Sequence, residues 1–189
     1  SDAVNSQVHI TVGGPSADIG GMNQKAIQAG IDYVAALGGG TVELLEGEYF
    51  IEDAVRPRNN TVLRGQGAKT ILKKNKGHRS LLTIDADMHE TTVTVEDASG
   101  FEVGMGVTIG DNERAIDADM SVRTIISKWD NVLGFGQSFD STQMVKNGAF
   151  VQTTFPIIYI KEVENIIIEN LTLDGNRANN PLINGWADG

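Results

Sequence analysis

The fold of this chain is decided between Ala26 and Lys74, where the sequence reads AIQAGIDYVAALGGGTVELLEGEYFIEDAVRPRNNTVLRGQGAKTILKK. Its first part places Ile27, Ile31 and Val34 on one face of a helix, the spacing of an amphipathic helix that packs on a core. The glycines Gly38–Gly40 come next, and glycine commonly ends a helix because it takes the left-handed conformation without a Cβ clash. The stretch therefore predicts a helix, a sharp stop and then β-structure.

Short apolar runs follow the glycines, and their centres at Val42, Val62 and Leu82 are 20 residues apart. A repeat of about 20 residues with one β-run in each is typical of a solenoid, whose rungs bury their apolar side chains only by stacking. We therefore expect residues 1–86 to hold an N-terminal cap helix and the first coils of a parallel β-helix. The helix would cover the open edge of the first strands, which would otherwise invite aggregation.

The 20-residue rhythm is lost from about Asp87 to Thr154, and apolar and polar residues alternate there as in half-buried antiparallel strands. We assign residues 87–155 to an inserted β-rich module, a small barrel or sandwich, with a hairpin turn at Asp130-Asn131. Its predicted strands are Thr92–Glu96, Gly106–Ile109, Arg123–Ser127, Asn131–Phe135 and Phe150–Thr154, and its predicted core includes Phe101, Val103, Met105 and Val107.

Residues 156–189 are predicted to resume the coils and then to enter a loop. The runs Ile157–Ile160 and Ile166–Leu173 are almost continuously apolar, which suits parallel strands covered on both sides. Three or four coils are few for a solenoid, and the last would expose its edge. We therefore expect the native polypeptide to continue, and its remaining C-terminal part to be the natural partner of this chain.

Several pieces of the sequence resemble the N-terminal cap and opening coils of the pectate-lyase-like superfamily of right-handed parallel β-helices. They are Ala26–Ala29, Gly38–Val42, Glu46–Tyr49 and Asn60–Gly67, and Ile166–Arg177 resembles a later coil. The resemblance implies an all-β fold, a right-handed parallel β-helix with an N-terminal capping α-helix and an inserted antiparallel β module. It also implies a secreted, cell-surface or periplasmic bacterial protein. The superfamily includes lyases, hydrolases, epimerases and phage tailspikes, so the resemblance says more about fold than about activity.

Composition narrows the classes of partner. The net charge of −10 argues against nucleic acid and anionic membrane surfaces, both of which need a basic field. No apolar run approaches the ~18 residues that a membrane helix needs. Zero cysteines exclude disulfides and thiolate chemistry. A polysaccharide partner would have to be neutral, or be held by a local basic cleft or by bridging Ca²⁺.

The hypothesis we favour from the resemblance is the N-terminal part of a secreted carbohydrate-active enzyme, a polysaccharide lyase or glycoside hydrolase. Its active cleft would lie mostly on coils beyond this chain, so no catalytic residue is assigned. The alternative is a non-catalytic glycan-binding, adhesion or tailspike-like β-helix protein, with the inserted module as the binding element. The third hypothesis is that this chain is a purely structural cap.

Two groups of residues are candidates for a site. The first group is an acidic loop whose carboxylates are hard oxygen ligands suited to Ca²⁺: Asp111, Glu113, Asp117 and Asp119. The loop lacks the glycine-bearing spacing of an EF-hand, and a solvated acidic loop is the competing interpretation. The second group follows the Asp174-Gly175 turn and consists of Arg177, Asn179, Asn180 and Trp186. A guanidinium, amides and an aromatic ring on one loop are typical of a sugar-binding cleft. The competing interpretation is that the asparagines satisfy backbone groups of the turn.

Overall fold

The computed structural model describes residues 8–113 and 120–180 and confirms the prediction of an all-β fold, with one α-helix in this part of the chain. The helix α1 is Gln24–Ala36. The strands are β1 Val8–Gly13, β2 Ile19–Gly20, β3 Gly40–Leu44, β4 Gly47–Ile51, β5 Thr61–Arg64, β6 Thr70–Lys74, β7 Arg79–Leu81, β8 Thr92–Thr94, β9 Gly106–Gly110, β10 Ser121–Trp129, β11 Val132–Phe135, β12 Phe150–Gln152, β13 Ile167–Glu169 and β14 Thr172–Asp174.

The chain forms two compact units. Of the described residues, 8–74 and 157–175 form the first, which we call the stacked unit, and 75–113, 120–156 and 176–180 form the second, which we call the antiparallel unit. No helix in the described ranges is long and apolar enough to cross a membrane.

The stacked unit consists of two parallel sheets. One has the order β2-β1-β3-β5-β13 and the other has the order β4-β6-β14. Each rung is a pair of consecutive strands, the first in one sheet and the second in the other; the pairs are β3–β4, β5–β6 and β13–β14. Ile10, Val42 and Leu63 are register partners in the first sheet, and all three are buried. Burial of apolar residues in such columns is what holds stacked rungs together.

The predicted register was wrong by one residue. Val42 pairs with Leu63, not with Val62, which is the partner of Thr41 and only half-buried. Since side chains alternate between the two faces of a strand, a shift of one residue exchanges the residues that face the core with those that face outward. The third expected rung is also absent from this stack, because Arg79–Leu81 pairs antiparallel with β12 in the other unit.

The helix lies against β1 and β3 through its predicted apolar face. Asn23 is its N-cap, and the Asn23 side chain accepts a hydrogen bond from the amide of Ala26 at 2.9 Å. Gly30 is the point of closest approach: a Cβ there would lie 3.0 Å from Val12 Cγ2 and 3.1 Å from Val42 Cγ1. A larger residue at position 30 would therefore push the helix away from the sheet.

Tyr49 anchors the interior of the stacked unit, and its hydroxyl lies 2.8 Å from the Val12 carbonyl oxygen and 2.9 Å from that of Leu45. Burial raises the pKa of Tyr49 to about 12. An unfolded tyrosine ionises near 10, so the contribution of Tyr49 to stability is complete below about pH 10 and is lost as the pH rises towards 12. We expect the free energy of unfolding of the wild type to fall more steeply over this window than that of Tyr49→Phe, measured by urea denaturation. Parallel pH profiles for the two proteins would contradict this account.

The antiparallel unit is inserted in the sequence between two neighbouring rungs of the stacked unit. Val62 and Ile167 are register partners, and at the adjoining turn the Asn165 amide donates to Asn60 Oδ1 at 3.0 Å although the two residues are 105 positions apart. Both asparagines have positive φ, of 59° and 55°, which asparagine tolerates better than most residues. The chain therefore leaves the stack after β6 and returns to the next rung after residue 156.

The antiparallel unit is one six-stranded sheet in the order β7-β12-β9-β10-β11-β8. Its end strands also meet, because the Thr83 amide donates to the Thr94 oxygen and the Glu96 amide donates to the Leu81 oxygen, each at 2.9 Å. The sheet thus curls around an apolar core that includes Phe101 and Val107. Of the predicted core residues, Met105 packs partly against this cluster, whereas Val103 is 50% exposed and was wrongly assigned.

The far edge of the stack exposes apolar side chains. Leu173 aligns with Leu72 and Tyr49, which are wholly buried, yet Leu173 is 51% exposed. Within the described residues no strand pairs with the outer side of β13 or β14.

Candidate functional site: an aromatic sheet face

Trp129 has the highest exposure of the large apolar side chains in the described part of the chain, at 82%. It ends β10, immediately before the two-residue turn Asp130-Asn131 that leads into β11. This confirms the predicted position of the hairpin turn, and Asp130 takes the positive φ of 52° that such a turn needs. Exposing an indole ring to water is energetically unfavourable, and an exposed tryptophan commonly marks a contact surface.

A β-bulge aims this tryptophan outward. Ile125 pairs with Phe135 and Ser127 pairs with Gly134, so Ile126 is an extra residue in β10. Ile125 is fully buried, and without the bulge the residues two and four positions later would also face the core. The bulge reverses this alternation, because Ser127 and Trp129 are exposed while Lys128 turns back and donates from Nζ to the Phe101 oxygen at 2.7 Å.

The exposed face around Trp129 is formed by β10, β11 and β8, and none of the residues that define it is charged. Trp129 pairs with Val132, which pairs with Thr94, and beside them Ser127 pairs with Gly134, which pairs with Thr92. Thr92 and Ser127 are exposed and Thr94 is half-buried, while the residues opposite them on the inner side belong to the core. We call these residues the tryptophan face: Trp129, Val132, Thr94, Ser127, Gly134 and Thr92.

The tryptophan face combines one aromatic ring with hydroxyl groups. A ring can stack on the apolar face of a flat ligand, and hydroxyls can both donate and accept hydrogen bonds to it. Gly134 adds no side chain between Ser127 and Thr92, and it is buried because the Ser127 hydroxyl lies over it in the space that a Cβ would take.

The predicted cleft around Arg177 is a turn in the structure. Arg177–Asn179 is a 3-10 turn in which the Asn179 amide donates to Asn176 Oδ1 at 2.8 Å. The Asn180 amide donates to the oxygens of Asn75 and Asn176 at 3.2 and 2.9 Å. The Asn180 contacts satisfy backbone oxygens, the role weighed above for turn asparagines, whereas the Asn179 contact joins two side chains. Trp186 lies outside the described residues, so this site stays a prediction.

The predicted acidic loop is described in part. Asp111 is fully buried, and Glu113 is exposed beside it. The Asp111 carboxylate accepts hydrogen bonds from the amide of Glu113 at 3.1 Å and from the amide of Met144 and the Asn147 side chain at 3.5 Å each. Asp117 and Asp119 lie outside the described residues. No group of three or more possible metal ligands is brought together within residues 8–113 and 120–180.

We expect Asp111→Asn to lower the free energy of unfolding by about 1–3 kcal/mol, because a buried acceptor of three donors is replaced by a weaker one. The measurement is thermal denaturation, run in parallel with Ca²⁺ and with a chelator. Glu113→Gln, at an exposed neighbouring position, is the matched control and should change little. A loss of stability that appears only with Ca²⁺ present would instead assign Asp111 to a metal site.

The charged residues on the outside of the stacked unit are largely engaged with one another. Arg64 Nε lies 2.6 Å from Glu169 Oε1, and His9 Nε2 lies 3.0 Å from Glu43 Oε2. Such exposed pairs add little stability and leave less charge available for a ligand. The same unit carries a shallow groove of about 140 Å³ beside the half-exposed ring of Phe50. It is lined by Asn23, Gln24, Lys25, Phe50 and Glu52.

No known protein-family model matches this chain, and no curated protein matches its sequence. Among solved structures, the chain is similar to the Gp54 tailspike of Acinetobacter baumannii bacteriophage AP22 in complex with A. baumannii capsular saccharide, with 13% identity and a TM-score of 0.38 over 82% of this chain and 34% of that chain. It is also similar to the tailspike gp61 of Pseudomonas phage phi297, with 11% identity and a TM-score of 0.38 over 78% of this chain and 30% of that one. The tailspike gp49 of Pseudomonas phage LKA1 matches with 14% identity and a TM-score of 0.33, over 78% and 31% of the two chains.

This chain spans about a third of the length of each of these tailspikes. At such low identities and TM-scores the likenesses carry no weight for its ligand or activity.

Sequence reasoning missed the tryptophan face. Trp129 falls between the predicted strands Arg123–Ser127 and Asn131–Phe135, next to the predicted turn. The sequence therefore could predict that Trp129 lies in the hairpin. It could not predict that the side chain faces outward, because that direction depends on the bulge at Ile126.

Proposed function

We propose that this chain is part of a glycan-binding protein of the parallel β-helix type, with the antiparallel unit as its binding element. The stacked unit would be the first coils of a right-handed parallel β-helix, as the resemblance to the pectate-lyase-like superfamily implies. The observation that carries the proposal is Trp129, a tryptophan 82% exposed on an uncharged sheet face lined with hydroxyls.

The chemistry of that face favours a sugar over other ligands. Pyranose rings have an apolar face that stacks on an indole, and equatorial hydroxyls that pair with serine and threonine. The absence of basic residues from the tryptophan face and the net charge of −10 disfavour nucleic acids. Protein partners usually need a larger continuous apolar surface than Trp129 and Val132 supply, even with the exposed Ile126 of the bulge beside them.

The enzymatic alternative is a polysaccharide lyase or glycoside hydrolase whose cleft lies on further coils. We rank it below the binding function because no observation on the described residues favours it. Ca²⁺ at the acidic loop, secretion and a bacterial cell-surface location are parts of the same proposal.

We further propose that another coil packs on the edge formed by β13 and β14. Leu173 is the support, since it stands half-exposed in a column whose other members are buried. The remaining C-terminal part of the same polypeptide would supply that coil. Intact-mass analysis of the natural protein tests this: a species with the mass of this chain alone would contradict it.

Tryptophan fluorescence tests the binding function directly, because the chain has only two tryptophans. Trp186→Phe leaves Trp129 as the single reporter, and Trp129→Phe leaves Trp186. We expect a neutral oligosaccharide to shift or quench the emission of the Trp186→Phe protein and to leave that of the Trp129→Phe protein unchanged. A response only from Trp186 would favour the predicted site around Arg177, and no response from either would contradict glycan binding.

A further inference from the structure

The tryptophan face extends onto the segment that follows β7. The Leu82–Val95 bridge is antiparallel and both side chains are buried, so the preceding and following residues on each strand face outward. Thr83 is therefore opposite Thr94, and the Thr94 carbonyl oxygen accepts from the Thr83 amide at 2.9 Å and from the Thr83 hydroxyl at 3.3 Å. The Thr83 hydroxyl oxygen keeps its capacity to accept a hydrogen bond from a ligand. Trp129, Val132, Thr94 and Thr83 thus form one continuous row across three strands and the segment that follows β7.

The length of this row sets the size of a ligand. Neighbouring strands are about 4.8 Å apart, so the row from Trp129 to Thr83 spans about 14 Å. That is longer than one sugar ring. The aromatic platform is at one end, the two threonine hydroxyls are at the other, and Val132 lies between them.

The charges around the row set the kind of sugar. None of its members is charged. The charged residues nearest to them in sequence are Lys128 and Asp130 on either side of Trp129, Glu96 two positions after Thr94, and Asp85 two positions after Thr83. Lys128 is turned to the inner side, with Nζ 2.7 Å from the Phe101 oxygen and 3.5 Å from Glu102 Oε1. A carboxylated sugar would meet the carboxylates of Asp130, Glu96 and Asp85, while the Lys128 ammonium is already bound on the inner side.

We infer that the row from Trp129 to Thr83 binds an uncharged oligosaccharide longer than one sugar unit, with one ring stacked on Trp129 and a later ring held by the hydroxyls of Thr94 and Thr83. This inference rests on the proposed glycan-binding function and specifies its ligand class. It requires affinity to grow with chain length until the row is filled.

Calorimetric titration with mono- to tetrasaccharides of galactose, and with oligogalacturonates of the same lengths, tests the inference. A galactan series and its uronate counterpart share a ring skeleton and differ in charge. We expect the neutral trisaccharide to bind at least about tenfold more tightly than both the monosaccharide and the uronate trisaccharide. The same comparison with glucose and N-acetylglucosamine oligomers covers other neutral stereochemistry.

Variants separate this inference from the general function. The double variant Thr83→Val, Thr94→Val should weaken the neutral trisaccharide about three- to tenfold and leave the monosaccharide unchanged, because each hydroxyl contributes about one hydrogen bond. Thr41→Val, on the other unit, is the matched control. Equal binding of neutral and uronate oligomers, or an unaffected trisaccharide in the double variant, overturns the inference while leaving glycan binding at Trp129 intact.

Loss of the proposed function gives a different pattern. Unchanged binding of every oligomer in Trp129→Ala would overturn both the site and the inference. Sedimentation velocity addresses the remaining occupant, a second copy of the chain. Concentration-dependent dimers that disappear in Trp129→Ala would replace the sugar with a self-association surface.

Discussion

Trp129→Ala is expected to weaken binding of a neutral oligosaccharide at least about 30-fold, the loss typical of an aromatic hot spot. The indole is the only aromatic ring in the tryptophan face, and the bulge at Ile126 directs it outward. Because its ring is 82% exposed, its removal should leave the free energy of unfolding nearly unchanged. Calorimetric titration of the two folded proteins, with matched melting curves, measures both quantities.

Phe50→Ala is the control for this result, since Phe50 is the exposed aromatic residue beside the groove of the stacked unit. We expect it to bind the oligosaccharide as the wild type does. The opposite outcome, with binding lost in Phe50→Ala and kept in Trp129→Ala, would place the sugar on the stacked unit. The binding function would then stand, but on a different surface.

Much of the fold could be predicted from the sequence because the signals were local. The helical spacing of Ile27, Ile31 and Val34, the glycine stop after it and the alternation in residues 87–155 each depend on neighbouring residues, and the structure has the helix and the antiparallel strands there. The turn at Asp130-Asn131 is of the same kind.

What the sequence could not show depends on pairing across long separations. The true partner of Val42 is Leu63, and nothing within either strand distinguishes it from Val62. The pairing of Arg79–Leu81 with β12 joins segments about 70 residues apart, and so it replaces the expected third rung without a local signal.

The candidate site shows the same limit more sharply. The residues of the tryptophan face come from three strands, and their common direction depends on one extra residue at Ile126. The sequence instead drew attention to Arg177, Asn179 and Asn180, whose side chains are polar and close together in the chain. In the structure the two asparagine side chains mainly serve the turn itself.

Phe101→Ala is expected to lower the free energy of unfolding by about 3–5 kcal/mol, the cost of removing a buried aromatic ring and leaving a cavity. Phe101 is fully buried in the core of the antiparallel unit, and its ring meets that of His78 edge-on at a centroid distance of 4.7 Å. The substitution keeps the Phe101 carbonyl that receives the Lys128 ammonium, so the loss reports the ring alone. Urea denaturation followed by circular dichroism measures it.

Val103→Ala is the matched control, because Val103 is two residues away and 50% exposed. It should change the free energy of unfolding by less than about 0.5 kcal/mol. Since the inward residues of β8, β10 and β11 are members of the same core, Phe101→Ala should also lose oligosaccharide binding at a lower temperature than the wild type does. Equal losses of stability in the two variants would mean that residues 101–107 do not divide into core and surface as described, and that the tryptophan face is not supported from beneath by this core.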